Sequence, residues 1–260
     1  LLLAGQINGT TGYEEAAAQG LVAGINAALK IKNLNQFVLN RSNSYIGVMI
    51  DDLITKGVTE PYRMFTSRAE YRLTLRADNA DQRLTPLGIK INLVTNNRKK
   101  IFLEKSKNLF VLTNFLNQKK LSPNEAKNHN IKIAMDGVKR SLLQIIGQRN
   151  VNMAKIRRIF TDIPVFNTNL DKQVEIDAHY LGYLDRQSRD VKSFLNDESV
   201  LIPQSINYDL LSGLSNEIKS KLKKIKPLTL GQASRIDGVT PAAIIIILSY
   251  IKRYKSRDYA

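Results

Sequence analysis

A glycine-rich segment near the start of the chain carries its most specific chemical pattern. Residues 4–16 read Ala-Gly-Gln-Ile-Asn-Gly-Thr-Thr-Gly-Tyr-Glu-Glu-Ala, so three glycines precede an alanine-rich run that is typical of a helix. Glycine permits positive φ angles and close approach of a ligand to the backbone, and the first turn of a helix presents unpaired N–H groups. Such a turn suits an anion or the electron-rich edge of a ring.

The spacing of these glycines is weak support for a ligand when taken alone. It is not the dinucleotide-binding pattern G-x-G-x-x-G, and glycine loops before helices are common. The alternative is that the glycines only shape a turn and pack a helix. Glu14 and Glu15 could equally be first-turn residues favoured by the helix dipole.

A second segment is rich in arginine. In residues 68–77 every second residue from Ala69 to Leu75 is apolar, which predicts a half-buried strand with arginines on its polar face. Four arginines in or near it are candidate phosphate ligands: Arg63, Arg68, Arg72 and Arg76. The alternative is pairing with nearby carboxylates, which are Glu60, Glu70 and Asp78. Tyr62 and Phe65 could stack on bases, whereas the period places Tyr71 on the apolar face.

Other polar residues show no catalytic spacing. His129 and His179 each stand alone, so we interpret both as non-catalytic. The acidic pairs at residues 14–15 and 51–52 are adjacent, so their side chains should diverge and not share a proton. The chain contains no cysteine, which excludes a disulfide framework and a thiolate zinc site in these residues.

Charge indicates the class of partner. The 260 residues include 39 Lys and Arg against 23 Asp and Glu, a formal net charge of +16 that would attract a polyanion such as nucleic acid. A basic surface without a ligand is the alternative, and charge does not distinguish RNA from anionic lipid. The longest apolar run, residues 242–248, is far shorter than a membrane span, and the first residues do not resemble a signal peptide. We therefore expect a cytoplasmic protein without membrane association.

The elements that position these residues are mainly helical. Residues 1–4 are predicted to form a buried strand, followed by a glycine loop and a helix over residues 13–30. Helical periodicity predicts a short helix at residues 45–55 and two long bundle helices that contain two apolar stripes. The stripes are Phe102, Leu109, Leu112 and Leu116, and Val174, Leu181, Leu184, Val191 and Leu195. Residues 215–224, 229–235 and 240–255 are predicted to form three further helices, and the last has Pro241 at its first position.

Several stretches of the sequence closely resemble the MnmG (GidA) family of tRNA-modifying flavoproteins. The longest are residues 4–20, the glycine loop and its helix, and residues 60–73, Glu-Pro-Tyr-Arg-Met-Phe-Thr-Ser-Arg-Ala-Glu-Tyr-Arg-Leu. Shorter ones are residues 78–81, 83–85, 173–176, 211–217, 231–236 and 238–244. The resemblance covers nearly the whole chain.

This resemblance implies the fold class and the division of the chain. We expect a mainly α chain: the C-terminal edge of a Rossmann-like FAD-binding domain (strand, glycine loop, helix), a short β element, then an α-helical region. Residues 1–58 would end the FAD-binding domain, and residues 59–90 would form a basic segment that contains a strand. Residues 91–205 would form a helical bundle, and residues 206–260 a small docking module.

The resemblance also implies a function. The family, together with the GTPase MnmE, adds a (carboxymethyl)aminomethyl group to C5 of the wobble uridine of tRNA, using FAD, NADH and methylene-tetrahydrofolate. The nicotinamide-binding region and catalytic cysteines of the family would precede the first residue here. We therefore expect a C-terminal fragment that is inactive alone and belongs to a homodimeric enzyme.

Residue by residue, Gln6 falls where the family contacts FAD. Five more residues line the same turn: Asn8, Gly9, Thr10, Gly12 and Tyr13. The resemblance also favours a surface for MnmE near the apolar residues 242–251, which look too hydrophobic all round for an exposed helix. Packing within the module would explain most of these isoleucines, leaving a set of basic residues for solvent, RNA or partner: Arg235, Lys252, Arg253 and Lys255.

Two other interpretations stay open. The chain could be a stand-alone basic RNA-binding or scaffold module without flavin. It could also belong to the related tRNA uridine methyltransferase family TrmFO, which shares the flavin domain. That family lacks a long C-terminal helical region, and this sequence has one.

Overall fold

The structure is a computed structural model that describes residues 1–257, apart from the side chains of residues 185, 186 and 253–257. It confirms the mainly helical fold class. The helices are α1 (Tyr13–Ile31), α2 (Tyr45–Thr55), α3 (Ala80–Lys90), α4 (Asn96–Gln118), α5 (Pro123–Asn128), α6 (Leu142–Ile146), α7 (Met153–Ile159), α8 (Thr168–Ser199), α9 (Asn216–Ile225), α10 (Leu230–Arg235) and α11 (Pro241–Arg257). Two short strands, β1 (Lys120–Leu121) and β2 (Arg140–Ser141), pair antiparallel.

Polar side chains set where several helices begin. Ser44 accepts a hydrogen bond from the N–H of Gly47 at the start of α2, and Thr229 accepts one from Gln232 at the start of α10. Ser122 and Ser141 form complete capping boxes with Glu125 and Gln144. Each cap supplies a partner for an N–H group that the first helical turn leaves unpaired, so these starts are fixed by local sequence.

Both predicted strands are wrong. Residues 1–4 have no regular structure, and Leu1, Leu2 and Leu3 are exposed. Residues 68–77 form a series of turns after a 3-10 turn at Thr66–Arg68. A strand requires a neighbour for its N–H and C=O groups, and no extended neighbour lies beside either segment in the described part of the chain.

The alternation of apolar and polar residues in residues 68–77 nevertheless matches which side chains are buried. Ala69 and Leu75 are buried at 3% and 2% exposure, while Tyr71 is half-buried and packs edge-on against Phe194. Turns therefore bury the same apolar residues that a strand would have buried. The arginines do not share one extended face.

The chain divides into two compact units. One comprises Leu1–Arg72 together with Ser188–Ala260, and the other comprises Leu73–Gln187. The predicted division into four segments stays a prediction.

The second unit, Leu73–Gln187, has its own hydrophobic core. Its fully buried side chains include Leu112 and Leu116 of α4, Leu142 and Ile145 of α6, and Ile156 of α7. The first part of α8 closes this core with Val174 and Ala178. Leu109, Leu112 and Leu116 of the first predicted stripe and Val174 and Leu181 of the second face this core. The other stripe residues do not belong to it, and Leu195 is 42% exposed, so the two predicted stripes are confirmed only in part.

The first unit contains the C-terminal helices, which surround a separate core. Leu222 of α9, Ala233 of α10 and Ile247 of α11 are completely buried there. Ile245 of α11 is 64% exposed, so packing within this unit buries only part of the apolar run at residues 242–251. The side chains of Arg253 and Lys255 lie outside the described residues. No helix among the described residues is long and apolar enough to cross a membrane.

Candidate functional site

The glycine loop is held in shape by one buried side chain of α1. The Oε1 atom of Gln19 accepts hydrogen bonds from the N–H of Gly5 (3.0 Å) and from Nδ2 of Asn8 (2.7 Å). Its Nε2 atom donates to Oγ1 of Thr10 (2.9 Å), and that hydroxyl donates to the C=O of Gly5 (3.1 Å). Asn8 and Thr10 therefore shape the loop from inside.

The opposite side of the loop pairs with a second segment. The N–H of Tyr62 donates to the C=O of Gly9 at 2.8 Å, and the N–H of Thr11 donates to the C=O of Tyr62 at 3.4 Å. Gly9 has φ +80°, and a Cβ atom there would lie 2.8 Å from a methyl carbon of Val58. Glycine is therefore required at this position both for backbone conformation and for space.

The carboxylate of Glu15 packs against the start of α1. Gly12 is its N-cap and provides no side-chain cap. A Cβ atom on Gly12 would overlap the carboxylate of Glu15, which is 4% exposed. Oε1 of Glu15 accepts the N–H of Met64 at 2.8 Å, and this bond holds the pKa of Glu15 below its ordinary value despite burial. From the sequence, Glu15 was expected only to interact favourably with the helix dipole.

Gln6 and Tyr13 are the exposed members of the predicted cofactor set, and Tyr13 is 93% exposed. Gln6, Asn8, Gly9 and Thr10 line one side of a cleft of about 910 Å³. Its other walls come from Val22 and Asn26 of α1 and from Leu53 and Val58 near the end of α2. The structure thus brings most of the predicted cofactor residues to one concave surface.

The loop before α2 contains a buried arginine that was not predicted from the sequence. Arg41 is 2% exposed, and its Nη1 donates to Asp51 (3.1 Å) and Asp52 (2.7 Å) of α2. Its Nη2 donates to Glu70 at 2.6 Å. Both adjacent carboxylates of α2 accept from the same nitrogen of Arg41, so the expectation that their side chains diverge is wrong. Only the fold shows this, since Arg41 lies in a loop and the sequence pattern gives no sign that it is buried.

The charges around Arg41 stabilise one another. Burial alone lowers the pKa of Arg41, but hydrogen bonds to Glu70 and Asp52 outweigh it and the pKa is raised. Burial likewise raises the pKa of Asp52, whereas hydrogen bonds from Lys56 and Arg41 bring it below its ordinary value. Arg41 and Asp52 are therefore both charged at neutral pH.

The network continues to the C-terminal helices of the same unit. Arg235 of α10 donates through Nε and Nη2 to the two oxygens of Asp51, both at 2.7 Å, and pairs with Glu198 at 2.6 Å. Its guanidinium also lies over the ring of Phe194, 5.2 Å from the centroid. Arg235 is thus paired with carboxylates inside the fold, although it was expected from the sequence to be available to solvent, RNA or a partner.

The four candidate phosphate ligands have different environments. Arg76 pairs with Asp78 at 2.9 Å and also with Asp177, so the ion-pair alternative describes it. Arg68 donates to the C=O of Arg63 at 2.7 Å and lies over the ring of Tyr62. Arg63 is half exposed beside Glu15, at 3.5 Å, and Arg72 is exposed. Because the predicted strand is absent, the four do not form a regular row.

Three family models match parts of this chain. They describe "Glucose inhibited division protein A" (residues 1–35), the "tRNA modifying enzyme MnmG/GidA C-terminal helical domain" (residues 96–188) and the corresponding "C-terminal helical bundle" (residues 190–259). Named relatives include "tRNA uridine 5-carboxymethylaminomethyl modification enzyme MnmG" of Syntrophotalea carbinolica, 46% identical over 97% of this chain and 41% of that protein. The protein of the same name from Clostridium kluyveri is 45% identical over 96% of this chain and 40% of its own length.

The chain belongs to the MnmG/GidA family. Among solved structures, Aquifex aeolicus GidA in its form II crystal matches with a TM-score of 0.82 and 42% identity, covering 95% of this chain and 39% of that one. The chain therefore spans about two fifths of the length of its relatives and corresponds to the C-terminal region of MnmG/GidA proteins.

The histidines show no metal site. His129 packs edge-on against Phe160, and His179 against Tyr180. Among the described residues, no three His, Asp or Glu side chains gather as a metal ion would require.

The role of Gln19 was also not predicted from the sequence. The signal that could have found it is a polar residue one helical turn after Glu15 in an alanine-rich MnmG/GidA segment.

Replacing Arg41 with methionine tests the buried network. The change leaves Asp51, Asp52 and Glu70 without their shared cation, so we expect a loss of about 3–5 kcal/mol in the free energy of unfolding. Lys221→Met is the control, because Lys221 pairs with Glu217 four residues away on the surface, and this change should cost much less than loss of Arg41. Chemical denaturation measures both, and equal small losses would contradict the role of Arg41.

Proposed function

We propose that this chain is the C-terminal part of an FAD-dependent enzyme that modifies the wobble uridine of tRNA. The observation that carries the proposal is the identity of about 45% with proteins named tRNA uridine 5-carboxymethylaminomethyl modification enzyme, over nearly the whole chain. The full-length protein would be a cytoplasmic homodimer. It would use NADH and methylene-tetrahydrofolate as co-substrates and the GTPase MnmE as partner.

The residues of the glycine loop fit a flavin cofactor. Gly9 and Gly12 let the loop pack closely against Val58 and Glu15, where a Cβ atom would collide, and the first turn of α1 presents N–H groups with partial positive charge. Gln6 is exposed beside these donors and would contact FAD with its amide. Gln19 and Thr10 keep the loop preorganised. When bound, FAD would supply the redox chemistry, and this chain would form one wall of its site.

The basic surface fits tRNA. Residues 73–187 contain twice as many Lys and Arg as Asp and Glu, so the second unit holds most of the net charge. In the first unit, Arg63 and Arg72 are the exposed candidates for phosphate contact. Arg68 and Arg76 would act mainly by holding their own segments. A stand-alone RNA-binding module without flavin is the second candidate function, favoured only by this charge.

The helices of residues 216–257 would form the surface for MnmE. Arg235 and the buried isoleucines are used inside the fold, so the contact would use exposed apolar residues. Ile245 on α11 is 64% exposed, and Leu228, which follows a lysine-rich segment, is 55% exposed.

Gln6→Ala in the full-length protein tests the flavin wall. Losing the amide contact should lower flavin occupancy, measured as flavin absorbance per mole of purified protein. Gln118→Ala, at the exposed end of α4, is the matched control and should retain full flavin. Full occupancy in both variants would remove Gln6 from the site, and a wild-type protein without flavin would favour the stand-alone RNA-binding module.

Arg72→Glu tests the RNA contact. If Arg72 binds a phosphate, its reversal should weaken tRNA binding for every sequence and reduce the slope of log affinity against log salt by about 1. Lys32→Glu makes the same charge reversal at an exposed site after α1 and should have a smaller effect. Filter binding across a salt series measures both slopes, and identical slopes would exclude Arg72.

Ile245→Glu tests the partner surface. A charge at this exposed position should leave the C-terminal core intact and abolish capture of MnmE in a pull-down assay, while flavin occupancy stays normal. Ile101→Glu, at a similarly exposed position of α4, is the control and should leave capture unchanged. Undiminished capture by the Ile245 variant would move the contact elsewhere.

A further inference from the structure

A cleft at the end of α9 lies among the C-terminal helices of the first unit. It measures about 470 Å³, within the range of ligand sites. Its walls come from the segment that follows α8, from the last turn of α9 and from the loop that joins α9 to α10. Five apolar residues line it: Ile202, Pro203, Ile206, Pro227 and Leu228. An apolar group that entered this cleft would be removed from water.

The lining also contains a buried tyrosine whose hydroxyl lacks a partner. Tyr208 is 5% exposed and belongs to the core around Leu222 of α9. Burial alone raises the pKa of Tyr208 above its ordinary value, and its hydroxyl forms no hydrogen bond with any described residue. This oxygen keeps contact with solvent, since it is not one of the fully buried unpaired atoms. Most hydroxyls of buried residues are paired, so this one is open to a ligand in the cleft.

The charge at the cleft restricts the ligand further. Lys223 and Lys226 both line it, and Lys223 pairs with Asp209 at 2.6 Å. Lys226 ends α9 with φ +52°, is exposed and forms no ion pair in the described part of the chain. An ammonium can only donate, and a protonated phenol beside it can donate as well. The cleft therefore suits an acceptor that carries negative charge, and a carboxylate next to an apolar group has this chemistry.

The surroundings of the cleft favour a polypeptide over a small molecule. Leu228 is 55% exposed and Leu201 is 64% exposed, and a molecule held inside the cleft would leave Leu201 uncovered. Residues 200–202 pair antiparallel with residues 228–230, through hydrogen bonds from Ile202 to Leu228 and from Leu230 to Val200, both 2.9 Å. In such a pair the N–H and C=O of Leu201 point away from residue 229. They form no backbone hydrogen bond among the described residues, so they are free to pair with an extended segment.

We propose that this cleft receives an apolar side chain of the partner protein, and that a carboxylate of the same segment accepts from Tyr208 and pairs with Lys226. The inference rests on the proposed function and names a docking site within the C-terminal surface proposed there, since Leu228 belongs to both. Apolar walls select the inserted side chain, and the two donors select the acidic neighbour. The cleft therefore distinguishes an apolar, acidic segment from one that is only apolar.

The test measures the affinity of the flavin-loaded full-length protein for MnmE by isothermal titration calorimetry. Tyr208→Phe removes only the hydroxyl, so binding should weaken about tenfold, as expected for loss of one hydrogen bond to a charged group. The free energy of unfolding should not fall, because this hydroxyl has no partner inside the fold. Tyr183→Phe, the same change at an exposed position of α8, should alter neither quantity.

Lys226→Asn gives a second measurement at the rim. Asparagine tolerates the left-handed conformation, so α9 should end as before while the charge is lost. Binding of MnmE should weaken about fivefold and depend less on salt, whereas Lys224→Gln, at an exposed position of α9, should not change it.

Two results would overturn the docking site. One is wild-type affinity for MnmE in either Tyr208→Phe or Lys226→Asn. The other is weaker tRNA binding by Lys226→Asn without weaker MnmE binding, which would assign this cation to RNA. If the wild type binds MnmE in these experiments, only the cleft is wrong, whereas a wild type that binds no MnmE would refute the partner in the proposed function itself.

Discussion

The first unit depends on one buried cation. Arg41 is enclosed by Asp51 and Asp52 of α2 and by Glu70, and burial of Arg41 or of either aspartate without a partner would be strongly unfavourable. Because the guanidinium binds all three carboxylates, it holds together the segments that carry them. The loop before α2, α2 itself and the turns around residue 70 are therefore fixed together.

From this centre, two short connections reach the surfaces proposed to be functional. Asp52 accepts the hydroxyl of Tyr62 at 2.9 Å, and the backbone of Tyr62 pairs with Gly9 in the glycine loop. Asp51 binds Arg235 of α10, which belongs to the C-terminal helices of the same unit. A displacement of α10 would therefore act on the same carboxylate pair that positions the loop. The two aspartates therefore connect the glycine loop with the C-terminal helices inside the first unit.

The sequence predicts the parts of this fold that depend on local interactions better than those that depend on residues far away in the chain. Helices were predicted well because their signals are local: Ser44 and Thr229 cap the helices that they precede, and α2 has the predicted bounds. Strands were predicted wrongly because pairing depends on a distant neighbour, which the alternation in residues 68–77 does not specify. The candidate loop was found by its glycines and by family resemblance. The role of Arg41 was not, since burial of a loop arginine is decided by residues ten to thirty positions away.

The number of arginines in this chain does not tell which residues are available to bind RNA. An arginine that meets a carboxylate inside the fold loses its attraction for phosphate, and Arg41, Arg76 and Arg235 are all neutralised in this way. The charge available to a polyanion therefore lies on exposed residues such as Arg72, and on the surplus of lysine in the second unit.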